Sequence, residues 1–118
     1  MNLMKSTIIF EKWDIVLVNF PFTDLSTNKK RPSLIISPKD YNVFDDLIIA
    51  FITSNIPIDL KPSDFLIENW KDSGLIKPSI IRMKFATISK NIVFKKLGVL
   101  SDLDIKNFSS FFFNFFNR

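Results

Sequence analysis

The sequence predicts a mainly β chain that ends in one α-helix. Apolar, β-branched runs of strand length recur along it, separated by Pro, Asn, Asp and Ser, the residues of turns. The last run differs. There Phe108, Phe111, Phe112, Phe115 and Phe116 fall at i, i+3, i+4, i+7 and i+8, the stripe of an amphipathic helix.

Met1–Lys12 is a lead-in in which Thr7–Phe10 adds a short strand. Ile15–Phe20 is the first firm strand and Arg31–Ser37 the second. Pro32 lacks a backbone donor, which places it at that strand's start or on an edge. Between the two strands lies a loop of roughly a dozen residues, longer than a hairpin needs, and such loops are usually functional. It contains Thr23, Asp24, Ser26 and Asn28 and closes on three consecutive cations, Lys29, Lys30 and Arg31. Pro38–Asn42 is a turn or a short irregular excursion. Leu47–Ser54 is a nearly continuous apolar strand, buried on both faces, that ends in two hydroxyl residues.

Asn55–Pro62, with two prolines, is a connector, and Phe65–Ile67 forms a brief strand. Asp72-Ser73-Gly74 signals a turn. Along Ser79–Thr87, Ile81, Met83 and Phe85 alternate with Arg82, Lys84 and Ala86, a strand with one wet face. Ile92–Leu97 is the next strand, closed by Gly98. The helix runs from about Asp102 to Asn117, with Ser101 and Asp104 spaced as an N-terminal cap and Asp102 and Asp104 near its positive end.

A chain of 118 residues predicts one domain, spanning 1–118. Cysteine is absent, so a disulfide framework, a thiol nucleophile and a cysteine metal site are excluded. Histidine is absent too, which removes the usual proton shuttle near neutral pH and the commonest metal ligand. No cofactor or metal is expected. The net charge of +4 and pI near 9.4 lean towards an anionic partner. No apolar run reaches the roughly 20 residues that cross a bilayer, and the first residues do not read as a signal peptide. A cytoplasmic location with no membrane partner is expected.

Each candidate feature has two readings. The Lys29–Arg31 cluster is either a solvated loop end or an anion site. Thr53 and Ser54 either cap a strand by bonding to backbone or supply hydrogen-bond donors to a ligand. The adjacent carboxylates Asp45 and Asp46 would point to opposite faces of a strand, which makes them a poor acid–base or metal pair.

The ordered set of motifs resembles the MazF/PemK family of type II toxin–antitoxin ribonucleases. It begins with Asp14-Ile15-Val16-Leu17-Val18, Phe20-Pro21-Phe22-Thr23-Asp24 and Lys30-Arg31-Pro32-Ser33-Leu34-Ile35-Ile36-Ser37. Ile52-Thr53-Ser54, Trp70 with Gly74-Leu75, Lys77-Pro78-Ser79, Thr87-Ile88-Ser89-Lys90 and Leu97-Gly98-Val99-Leu100-Ser101 continue it. The resemblance covers the chain from Asp14 to the terminal helix. It implies an SH3-like β-barrel with a C-terminal helix, a homodimer, and a cognate antitoxin as partner. It also implies a metal-independent endoribonuclease that cuts single-stranded RNA to a 2′,3′-cyclic phosphate and a 5′-hydroxyl. The family's catalytic arginine precedes the proline of the second strand, here Arg31, and its catalytic threonine ends the next long strand, here Thr53. One departure is Trp13, which stands where many members have glycine.

The chemistry agrees. Cleavage by RNA's own 2′-hydroxyl needs no protein nucleophile; the protein must orient the chain and stabilise a charged phosphorane. A guanidinium is always cationic and its fork matches two phosphate oxygens, so Arg31 suits charge stabilisation better than proton abstraction. Thr53 would add a donor. Lys29, Lys30 and Lys84 would attract the backbone, while Thr23, Asp24, Ser26 and Asn28 read exposed bases. Ser54 and Ser79 complete the RNA-binding candidates. Two alternatives are a gyrase-binding toxin on the same barrel and a non-catalytic RNA- or protein-binding module.

Overall fold

The computed structural model describes residues 8–19 and 29–118. Its elements are β1 (Asp14–Asn19), β2 (Lys30–Ile35), a single helical turn α1 (Lys39–Asn42), β3 (Asp46–Thr53), β4 (Asp64–Leu66), β5 (Ile80–Ser89), a 3₁₀ turn (Lys90–Ile92), β6 (Val93–Val99) and α2 (Asp102–Phe116). The six strands form one antiparallel sheet in the order β4-β5-β3-β2-β1-β6. Bulges interrupt the β1–β6 and β3–β5 pairings. Bulges sharpen local twist, so this open sheet bends into a barrel-like form.

Strand alternation sorts the apolar residues into two layers. Ile15, Leu34, Ala50, Ile52 and Ile81 belong to one buried cluster, together with Leu100 and Phe108. Val16, Val18, Ile35, Leu47, Ile49 and Ile88 form the other, with Phe10. Successive residues of one strand therefore enter different layers, which is why β3 reads as a continuous apolar run. Helix α2 covers the first layer. Phe108 is fully buried, its ring edge-on to Trp13 at 5.8 Å and to Phe65 at 5.2 Å. Phe112 meets Phe85 at 5.9 Å. The predicted stripe thus faces the sheet as far as its last turn, where Phe116 is exposed, as is Phe113 beside it.

The N-terminus of α2 is doubly fixed. Ser101 Oγ accepts from the Asp104 backbone amide at 3.2 Å, the expected cap. The Asp104 carboxylate accepts from the cap hydroxyl of Ser101 and also reaches another segment. It accepts from the amides of Glu68 at 2.9 Å and Asn69 at 2.8 Å, pinning the segment after β4 to the helix.

Several expectations need correction. Ile8–Phe10 is not a strand; Phe10 is held by burial and by its carbonyl, which accepts from Asn42 Nδ2 at 3.0 Å. Thr7 lies outside the described residues. The excursion at Pro38–Asn42 is a helical turn closed by the buried Asn42, whose Nδ2 also donates to the Ser37 carbonyl. Pro32 lies inside β2, but pairing with β3 begins only at Ser33, so the proline sits where the strand has one neighbour. Gly98 does not close β6; it lies within it. A Cβ at Gly98 would stand 2.3 Å from the Ser73 carbonyl oxygen, and one at Gly74 would stand 2.2 Å from that of Leu97. The chain's only two glycines therefore mark one crossing of two backbones.

Trp13 adopts a left-handed φ of 79°. Glycine takes that conformation at no steric cost, whereas a residue with a side chain is strained in it. Here tryptophan accepts the strain and places its ring on Phe108. Its amide donates to the Ile35 carbonyl at 2.7 Å and its carbonyl accepts from Leu100 at 3.0 Å, so the approach to β1 is intact. Among the described residues no helix is long and apolar enough to cross a membrane.

Candidate active site

In an antiparallel sheet, strands that run up end where strands that run down begin. The end of β1, the start of β2, the end of β3 and the starts of β5 and β6 consequently share one rim. Arg31 and Thr53 both lie at this rim. Ser33 pairs with Phe51 at the end of the β2–β3 ladder, and Arg31 and Thr53 each lie two residues beyond that pair. Strand alternation gives both the same face as Ser33 and Phe51.

A cleft of about 620 Å³ opens at this rim, with Lys29, Lys30, Arg31 and Pro32 on one wall and Ile52, Thr53, Ser54 and Asn55 on the next. Leu75, Ile76, Lys77 and Ser79 complete it. Its described lining holds four cations, Lys29, Lys30, Arg31 and Lys77, and no carboxylate. With low-dielectric walls on either side, such a lining focuses a positive field on whatever enters. A second cleft of about 420 Å³, between the lead-in and α1, holds one cation, Lys90, beside Asp45, and none of the predicted site residues.

Arg31 and Thr53 are both half-buried, so each is positioned yet reachable. Thr53 Oγ1 accepts from the Asn55 amide at 3.1 Å. The strand-capping reading and the ligand reading are thus compatible. The cap occupies an oxygen lone pair and fixes the rotamer, while the hydroxyl proton stays available for donation. Ser79 is buried, and its hydroxyl donates to the Lys77 carbonyl at 2.9 Å, shaping the turn that presents Lys77. Ser54 is exposed on the rim.

Lys84 is not in the lining; its ammonium lies 5.3 Å from the centre of the Phe51 ring. Thr23, Asp24, Ser26 and Asn28 lie outside the described residues. Sequence reasoning passed over Lys77 and Asn55. Lys77 stood inside a quoted motif, but only the path of the chain after Gly74 shows that it returns to the cleft.

Residues 11–110 match the model of the PemK-like, MazF-like toxins of type II toxin–antitoxin systems. The chain belongs to this family. No match to a curated protein sequence is found. Among solved structures, the Mycobacterium tuberculosis toxin MazF-mt6 superposes with a TM-score of 0.69 at 18% identity, over 88% of this chain and 96% of that one. An endoribonuclease in complex with its cognate antitoxin, from a Mycobacterial species, gives 0.69 at 12% identity over 86% and 89%. A further Mycobacterial endoribonuclease gives 0.67 at 14% over 88% of each chain. At such identities the likeness speaks for the fold, and the toxin-family β architecture with its C-terminal helix is the one described above.

Proposed function

We propose that this toxin-family chain is an endoribonuclease that cuts single-stranded RNA without a metal, leaving a 2′,3′-cyclic phosphate and a 5′-hydroxyl. The observation that carries the reading is the convergence of Arg31 and Thr53, distant in sequence, in one cleft lined by cations and free of described carboxylates. Two of the similar solved structures are described as endoribonucleases.

In the proposed reaction the 2′-hydroxyl gives up its proton to water as its oxygen attacks the adjacent phosphorus, the bond from phosphorus to the 5′-oxygen breaks, and that oxygen takes up a proton from water. Negative charge grows on the non-bridging oxygens in between. The Arg31 fork would hold two of them, and its permanent charge makes it an electrostatic stabiliser rather than a base. Thr53 would add its hydroxyl proton, already aimed by the bond from Asn55. Lys29, Lys30 and Lys77 would hold flanking phosphates, and Lys84 would draw RNA from farther off. Base choice would fall to Thr23, Asp24, Ser26 and Asn28.

The whole of 1–118 would act as one toxin domain in the cytoplasm, as a two-fold homodimer. Its antitoxin would lay an acidic segment over the cationic cleft and block RNA entry. Incubation with a long single-stranded RNA in chelator tests the central reading. Discrete fragments ending in 2′,3′-cyclic phosphate are expected. Intact RNA, or fragments bearing 5′-phosphates, would overturn it.

A further inference from the structure

Resting on that reading, we infer that Phe94, with the Lys30 ammonium over its ring, is a stacking subsite for a nucleobase flanking the cleaved phosphate. Phe94 is 61% exposed although it lies in a strand. Its exposure has a backbone cause. Val18 pairs with Val93 and Leu17 with Lys95, so Phe94 is the extra residue of a β-bulge with nothing opposite it. Bulges near active sites commonly re-aim a side chain, and this one lies at the start of β6, on the rim that carries the cleft.

A second observation ties the ring to the cleft. Lys30 lines the cleft next to Arg31, and its Nζ lies 4.6 Å from the centre of the Phe94 ring. Among the described residues no carboxylate pairs with Lys30, whereas Lys96, farther along β6, is occupied by Asp14 at 3.3 Å. A largely exposed aromatic ring and a cation with no carboxylate partner among the described residues, side by side, are the two parts with which single-strand sites hold a nucleotide. The ring stacks the base and the cation takes the phosphate. A base arriving on the ring would displace the ammonium towards the neighbouring phosphate, keeping its charge in use. Stacking is tolerant of base identity, so this subsite would add affinity and register while selection stays elsewhere.

The test uses a random-sequence RNA oligomer, 2′-O-methylated throughout so that it binds without being cut, with wild type, Phe94→Ala, Phe94→Leu and Phe94→Trp. Phe94→Ala and Phe94→Leu should weaken binding by about 5- to 150-fold, and the slope of affinity against salt should stay unchanged because no phosphate contact is lost. Phe94→Trp should retain affinity, and its added fluorescence, relative to wild type, should be quenched by RNA. Equal unfolding midpoints would show that the exposed substitutions leave the fold intact. The inference is overturned if Phe94→Leu binds like wild type, since apolar volume alone would then suffice. It is also overturned if Phe94→Ala keeps full RNA affinity, with or without a fall in mass by light scattering; such a fall would assign the ring to a protein contact. A wild-type protein that binds no RNA would defeat the ribonuclease reading first, and the subsite with it.

Discussion

Asp104→Ala should be among the most damaging single substitutions in this fold. The carboxylate is 1% exposed, and it accepts from two backbone amides of another segment and from Ser101 Oγ at 3.1 Å. Hydrogen bonds to a charged group contribute about 1.5–3 kcal/mol each, and truncation leaves both amides without a partner. The two amide bonds alone therefore set a loss of about 3–6 kcal/mol, against a total of about 5–15 kcal/mol for a domain of this kind. Asp104→Asn keeps the volume but turns an NH₂ donor towards one of the amides, so it should recover no more than about half of that loss. Urea unfolding by circular dichroism measures both, with the midpoint falling at constant m-value. If Asp104→Ala lies within about 1 kcal/mol of wild type, the tether between α2 and the segment after β4 is not a stability element and the reasoning fails.

Arg31→Ala should abolish single-turnover cleavage under saturating RNA, with poor rescue by Arg31→Lys, because a point charge cannot reproduce the two-pronged contact. Thr53→Ala should cost less, about 10²–10³-fold, as for loss of one neutral transition-state donor; a rate within a few-fold of wild type for either variant would move the active site elsewhere. Ser33 Oγ is buried and has no hydrogen-bond partner among the described residues, so Ser33→Ala should raise stability by about 1 kcal/mol in a urea titration, and a loss would show that the hydroxyl has a partner. Trp13→Gly and Trp13→Ala should both destabilise through the lost packing on Phe108, but the left-handed backbone reverses their usual order, with glycine better by about 1 kcal/mol.

The strands and the helix were legible because each is written in a local period: two in the alternation of Ile81, Met83 and Phe85, nearly four in the Phe stripe. The site was legible only through resemblance. Nothing local in Arg31 or Thr53 says that they line one cleft; that depends on how β2 and β3 lie together, a relation between segments. The bulge that exposes Phe94 was invisible for the same reason, since an extra residue is extra only against the strand beside it. Gly98 read as a terminator because a glycine after an apolar run usually is one. Its actual cause, the carbonyl of Ser73, is supplied from another part of the chain. Asp104 does stand in the first turn of its helix as expected, but its bonds to the amides of Glu68 and Asn69 come from another segment and leave no local signal.

The crossing at Gly74 and Gly98 has a consequence for how this sequence can vary. Each backbone occupies the space where the other's first side-chain carbon would go, so neither position has a tolerated neighbour one substitution away, and changing both together makes the crowding worse. The restriction reaches beyond the two sites. Gly74 opens the stretch that carries Leu75, Ile76 and Lys77 into the cleft, and Gly98 belongs to the strand that begins with the Phe94 bulge. With no padding between the backbones, the cleft wall and the edge strand are set as one piece. An insertion or deletion between Gly74 and Lys77, or between Phe94 and Gly98, would misplace a part of the substrate path that lies on the other segment.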